Sequence, residues 1–229
     1  MKKLVVLSGA GVSAESGIQT FRDSDGLWEN HNVQDVATIE GWWRNRKLVL
    51  DFYNERRAVL EHTKPNDAHL IIAELEKYFD VTVVTQNIDN LHEQAGSTKI
   101  IHLHGEATKV RPEDQQEKGV IDIGYKPVHI GDTDSRGVQL RPHIVWFGEA
   151  VPMIEKAAKE VSGADILLII GTSLNVYPAA GLVNYAKYGI PIYLIDPKPI
   201  SLNYKNFVQI QEKATTGMKI LKEILIKNK

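Results

Sequence analysis

The chain has 229 residues, 43% hydrophobic and 24% charged, with a net charge of -2, the composition of one large globular domain or a main domain with a small appendage. No global basic field points to nucleic acid or an anionic membrane, and no apolar run approaches the ~18–20 residues that span a bilayer. Cysteine is absent, which excludes disulfides, thiolate catalysis and any cysteine-ligated zinc.

The first strand begins almost at the start, with Leu4–Leu7 as its apolar run, leaving no room for a signal or transit peptide. The expectation is a cytoplasmic protein without membrane or nucleic-acid partners. "LSGAGVSAESG" follows, in which Gly9, Gly11 and Ala14 fit G-x-G-x-x-G/A, the fingerprint of a βα turn that holds a dinucleotide diphosphate at a helix N-terminus. A dehydrogenase-type site would continue through that helix to a second strand ending in an acidic residue ~20 residues on. Here the helical pattern stops at Gly17, and "GIQTFRDSDGLWENHN" follows, a polar loop able to fold over the nicotinamide end.

Residues 34–62 read as helical ("WWRNRKLVLDFYNERRAVL") with no strand before them, and residues 66–79 form a further helix through Leu70, Ile71, Leu75, Tyr78 and Phe79. Strands are predicted at Val81–Thr85 and Ile100–Leu103, before a polar, irregular stretch over 111–140. Further strands fall at Ile144–Trp146, Ile166–Ile170, Ile192–Ile195 and Phe207–Ile210, and a last helix over 215–227. Most strands are continuously apolar, as in a parallel sheet covered on both faces. The pattern predicts an α/β fold: a doubly wound, Rossmann-like domain of residues 1–33, 63–110 and 141–229. Residues 34–62 and 111–140 form a smaller inserted lobe, a helical segment plus an irregular β module.

Four strand ends carry small or polar residues: "QNID" at 86–89, "HLHGE" at 102–106, "GTS" at 171–173 and "IDP" at 195–197. In open α/β sheets ligands bind at these carboxyl ends, so the four make one rim. A neutral imidazole there is a natural general base near pH 7. Strand alternation puts His102 and His104 on the same side and does not choose between them.

Taken together, "GAGVSAESGIQTFR", "TQNIDNLHEQAG", "HLHGE", "IVWFGE", "IIGTSLNVYPAAG" and the segment from Ala37 to Arg56 resemble the sirtuins, NAD-dependent protein-lysine deacylases, over nearly the whole chain. The resemblance implies that NAD is consumed as a co-substrate: nicotinamide is released and the acyl group passes from lysine to ADP-ribose. It implies His104 as the base, with His102 a buried, hydrogen-bonded neighbour, and Asn87 and Asp89 as the pair beside the ribose and carboxamide. The implied NAD-binding residues are Gly9, Ala10, Gly11, Ser13, Glu15, Gly17, Phe21, Arg22, Trp28, Gln86, Ile88, Gly171, Thr172, Ser173 and Asp196, with Phe21 shielding the reacting carbon from water. Val145, Phe147, Gly148 and Glu149 are implied to face an acyl-lysine peptide, while Ile144 and Trp146 read as ordinary buried strand.

"DFYNERR" matches the pattern of the class III branch, in which Tyr53 and Arg56 line the acyl pocket and Ala37, sixteen positions before the tyrosine, widens it. A guanidinium fork binds a carboxylate bidentately, so the implied acyl groups are succinyl, malonyl or glutaryl. Arg57 is expected to point elsewhere. The chain departs from most sirtuins in lacking the four cysteines that hold a structural zinc, and His129 and His143 are too isolated to replace them. The small lobe is therefore expected to be zinc-free, held by apolar contacts of Val120, Ile121, Ile123, Tyr125, Val128 and Ile130 and by hairpin bonding, or else mobile over 111–136 without peptide. The rival functions are an ADP-ribosyltransferase or NADase of the same fold, a non-catalytic NAD sensor and a dehydrogenase. A monomer is expected.

Overall fold

The computed structural model describes residues 1–19, 27–28, 31–115, 118–200 and 203–227. In chain order it runs β1 (Lys3–Ser8), β2 (Leu27–Trp28), β3 (His31–Asn32), α1 (Val33–Val36), α2 (Ile39–Arg44), α3 (Arg46–His62), α4 (Asp67–Glu74), β4 (Asp80–Thr85), α5 (Leu91–Ala95) and β5 (Ile100–His102). It continues with β6 (Gly105–Pro112), β7 (Ile121–Asp122), β8 (Leu140–Ile144), α6 (Ile154–Gly163), β9 (Ile166–Ile170), β10 (Ile192–Ile195), β11 (Phe207–Ile210) and α7 (Ala214–Lys227).

Six strands form one parallel sheet in the order β11-β10-β9-β1-β4-β5. β1 reads apolar throughout because both of its faces are covered. Leu4 and Val6 pack under α4 and α7, while Val5 and Leu7 pack under α6 and the 3-10 helix Ala179–Tyr185. The chain winds from β1 to β4 and β5 on one side, then to β9, β10 and β11 on the other. The switch point lies between β1 and β9, where such sheets bind ligands at their carboxyl ends.

The strand expected at Ile144–Trp146 is shifted and belongs elsewhere. β8 ends at Ile144 and pairs antiparallel with β6 in a separate three-stranded sheet, β7-β6-β8. Beyond it the chain stays extended, with Phe147 bridging Thr38. This sheet and α1–α3 share an apolar cluster of Val36, Trp42, Val49, Phe52, Tyr53, Val110, Ile144 and Trp146.

The segment over 118–140 is held in part as expected: β6 pairs antiparallel with β7 and β8, but its apolar contacts are fewer. Val128 is buried and Ile123 packs on the cluster, but Ile121 and Ile130 are 44% and 57% exposed. Polar clamps carry the load. The Asn54 carboxamide donates to the Val128 carbonyl and accepts from the Val128 N–H, both at 2.9 Å. Arg136 grips Asp114 at 2.9 and 3.0 Å and Asp134 at 2.8 Å. The Gln139 amide nitrogen reaches the carbonyls of His129, Asp132 and Leu140, and Tyr125 joins Asn90 through its hydroxyl.

Candidate active site

The site forms where the ends of β1 and β9 touch. Gly9 donates to the Ile170 carbonyl at 3.0 Å and Gly11 to the Gly171 carbonyl at 2.9 Å. A Cβ on Gly9 would lie 2.7 Å from that of Thr172, and one on Gly11 would lie 2.7 Å from the Gly171 Cα. Gly171, at φ +63°, would drive a Cβ to 2.2 Å from the Val12 nitrogen. The fingerprint glycines are therefore required by this crossing, and their own amides are spent on the carbonyls of Ile170 and Gly171. The helix expected after them is two single 3-10 turns, Ala10–Val12 and Ala14–Ser16, closed by left-handed Gly17 at φ +89°.

A cavity of about 620 Å³ opens above the crossing, lined by every sequence-predicted site residue that the structure describes except Gly17. Phe21 and Arg22 lie outside the described residues. The β1 turn supplies Gly9, Ala10, Gly11, Ser13 and Glu15. Gly171, Thr172, Ser173 and Asp196 close one end, where the Gln86 amide donates to the Thr172 hydroxyl at 3.2 Å and the Asp196 carboxylate accepts from the Lys198 N–H at 2.9 Å. Asn87, Ile88, Asp89 and His104 occupy the middle. Trp28, Ala37, Tyr53 and Arg56 with Val145, Phe147, Gly148 and Glu149 form the far end.

Ser13 organises the middle. Its hydroxyl donates to Asp89 Oδ2 at 3.0 Å and accepts from Asn87 Nδ2 at 3.1 Å. His69 supplies the third contact at 3.4 Å. Because His69 Nδ1 accepts from the Asn66 N–H, its Nε2 carries the proton toward Ser13, and burial pushes its pKa down to about 4. All the bonding capacity of the hydroxyl is thereby used. Asp89 also accepts from the Leu91 N–H at 3.1 Å, and burial holds its carboxyl above the usual carboxylate range.

His104 Nδ1 lies 3.0 Å from the Gln86 carbonyl. A carbonyl only accepts, so Nδ1 carries the hydrogen and Nε2 is the basic nitrogen. Burial outweighs that hydrogen bond and lowers the pKa of His104, keeping the ring neutral. His102 is not on the same side: β5 ends at His102, alternation lapses, and the ring faces a second cavity beside Glu93 and Glu106.

At the far end Tyr53 is fully buried and accepts from Trp146 Nε1 at 2.8 Å. Burial raises its pKa despite that bond, so it is a neutral phenol with its own proton left to donate. The Arg56 guanidinium sits 5.3 Å from the Phe52 ring centre and lines the cavity. Arg57 is buried elsewhere, donating to the carbonyls of Lys126 and Ala107 and to Asn54.

Two of the cavity-lining carboxylates are also held by protein partners. The Glu15 carboxylate takes the Thr215 N–H at 2.9 Å and hydroxyl at 3.0 Å at the start of α7. Glu149 takes both Arg141 guanidinium nitrogens, at 2.8 and 2.9 Å, with Arg111 at 3.3 Å and the Trp146 N–H at 2.9 Å. Sequence reasoning missed Trp146 and Ile144 as cavity residues, and also Val176, Tyr177, Lys198 and Lys213.

The Sir2 family model matches residues 9–178. The chain belongs to the Sir2 family. It is 54% identical over 231 residues to an NAD-dependent protein deacylase of Bacteroides thetaiotaomicron, covering 99% of each chain. It is 51% identical over 227 residues to an NAD-dependent protein deacylase of Helicobacter pylori, covering 99% of this chain and 98% of that one. Among solved structures, a complex of a Sir2 homologue with NAD superposes with a TM-score of 0.88 at 37% identity, covering 99% of this chain and 90% of the other. This sirtuin is an NAD-dependent protein deacylase with the Rossmann-like fold of the family. Having no cysteine, it holds no cysteine-bound zinc. Among the described residues, no helix is long and apolar enough to cross a membrane.

Proposed function

We propose that this sirtuin belongs to the acidic-acyl, class III branch and removes succinyl and malonyl groups from lysine in preference to acetyl. The observation that supports this is that Ala37, Tyr53 and Arg56 line the same cavity as Asn87, Asp89 and His104. The residues fit NAD: the cavity volume lies in the ~300–1,000 Å³ range of ligand sites, with polar groups at one end and in the middle. When bound, NAD supplies an electrophilic ribose carbon and nicotinamide as its leaving group.

The chain's own residues divide the remaining work. Asn87 and Asp89, locked by Ser13, present an amide and a carboxyl that hold a carboxamide by donor and acceptor. His104 Nε2 takes the proton of a ribose hydroxyl so that this oxygen can accept the acyl group. The apolar walls of Trp28, Trp146 and Phe147 exclude water from the acyl-lysine. The Tyr53 hydroxyl and Arg56 guanidinium receive the terminal carboxylate of an acidic acyl chain. One charge-assisted bond contributes ~1.5–3 kcal/mol, an acidic-over-acetyl preference of about 10- to 100-fold with residual deacetylation.

Arg56→Met tests the reading with matched succinyl- and acetyl-lysine peptides. Desuccinylation is expected to fall about 10- to 100-fold with deacetylation little changed. Equal loss of both would refute the pocket. NAD cleavage without any deacylation by the wild-type protein would favour the ADP-ribosyltransferase or NADase reading.

A further inference from the structure

The H-L-H-G-E motif gives His104 to the reaction and leaves His102 unexplained. The two rings lie two residues apart but meet successive carbonyls of the turn that carries Asn87. His104 Nδ1 is 3.0 Å from the Gln86 carbonyl, and His102 Nδ1 is 3.1 Å from the Asn87 carbonyl. The Ala107 N–H then takes the Ile88 carbonyl at 2.8 Å. Three consecutive carbonyls of the Gln86–Ile88 turn are thus held by the segment His102–Ala107. His102 reaches one step further, since its Nε2 lies 2.7 Å from Glu93 Oε1 on α5, the helix that the turn leads into.

Both partners of the His102 ring are acceptors: a carbonyl oxygen and a carboxylate oxygen. A neutral imidazole has one N–H and one lone pair, so either neutral tautomer sets a lone pair against one of these oxygens. Only the imidazolium satisfies both. The surroundings agree. Glu106 on β6 is 4.0 Å from Nε2, its other oxygen paired with Lys109 at 2.7 Å. Asp122 on β7, His143 on β8 and Lys156 on α6 line the same second cavity, and Asp89 and His92 both interact electrostatically with His102. Burial opposes the charge, but the bond to Glu93 and the negative charges of Glu93 and Glu106 outweigh it and raise the pKa of His102.

We propose that His102 is a positioning residue: a charged clamp between Glu93 and the Asn87 carbonyl that fixes the turn carrying Asn87 and Asp89. The proposal rests on the reading that this turn holds the nicotinamide end of NAD. Removing the clamp leaves His104 in place but releases the Asn87 backbone, so the loss falls on NAD and not on peptide. Deprotonation loosens the clamp in the same way, giving kcat/KM for NAD a fall on the alkaline side.

The test compares Glu93→Gln, His102→Leu and wild type with NAD and an acylated peptide across pH. A carboxamide at position 93 can donate to a neutral ring, so Glu93→Gln is expected to keep kcat/KM within about twofold at pH 7 and to lose the alkaline fall. His102→Leu is expected to lower kcat/KM for NAD about 10- to 100-fold, the worth of one charge-assisted bond, with KM for peptide unchanged. The same alkaline fall in wild type and Glu93→Gln would overturn the proposal, as would equal effects of His102→Leu on NAD and peptide. His104→Ala separates the two levels: abolished acyl transfer with NAD still bound supports the site reading whatever His102 does. If His104→Ala retains acyl transfer, the site reading itself fails.

Discussion

Replacing Ser13 with alanine removes the atom on which the middle of the cavity is hung. The hydroxyl donates to the buried Asp89 carboxyl at 3.0 Å and accepts from Asn87 Nδ2 at 3.1 Å, while the 3.4 Å contact with His69 adds little. The bond to Asp89 is charge-assisted when that group is ionised, worth ~1.5–3 kcal/mol, and the neutral bond to Asn87 is worth ~0.5–1.5 kcal/mol. Nothing in the methyl group replaces either, so Ser13→Ala is expected to cost ~2–4 kcal/mol of stability. For a chain of this size each kcal/mol is about 2–4 °C, so Tm should fall by about 4–16 °C in a thermal melt. Nicotinamide release in the presence of acyl peptide should fall about 10- to 100-fold where the fold is intact, because Asn87 and Asp89 lose their common partner. A melt within about 1 °C of wild type, with release within about twofold, would refute the account of Ser13 as organiser.

Asn54→Ala should free the segment over 118–136, because one carboxamide holds both backbone groups of Val128 and also accepts from Arg57. Faster amide exchange confined to that segment, with a stability loss of ~1–3 kcal/mol, is expected, and unchanged exchange would contradict the clamp. The lowered pKa of His104 sets the acid side of the rate profile. A base must be unprotonated to act, so lowering its pKa moves the acid fall of kcat/KM to below the ordinary value near 6.5. An acid midpoint at or above that value would contradict the burial argument.

The sheet was legible because burial on both faces writes continuous apolar strands, and β1, β4, β9 and β10 fall where that signal does, while the edge strand β11 carries it only weakly. The rim was legible because ligands gather at the carboxyl ends of such strands. What escaped depends on where elements stop and on what crosses them. The glycines of the fingerprint announced a tight turn, but their reason is the Gly171 crossing, more than 150 residues away in the chain. Alternation makes His102 and His104 equivalent, and it fails because β5 ends at His102. Trp146 read as core, since an indole gives no sign that its N–H meets a tyrosine hydroxyl 93 positions earlier. His69 had a local sign, the capping box with Asn66, but its contact with Ser13 is long-range. The small lobe read as apolar because its arginines and carboxylates show no pairing in sequence, although Arg141, Arg111 and Glu149 form a nearly buried cluster.

The most direct measurement of the central claim is kcat/KM for matched succinyl- and acetyl-lysine peptides with NAD, the products identified by mass spectrometry. The account predicts free lysine and O-succinyl-ADP-ribose, formed about 10- to 100-fold more efficiently than the acetyl product. Acetyl turnover equal to or faster than succinyl turnover would contradict it.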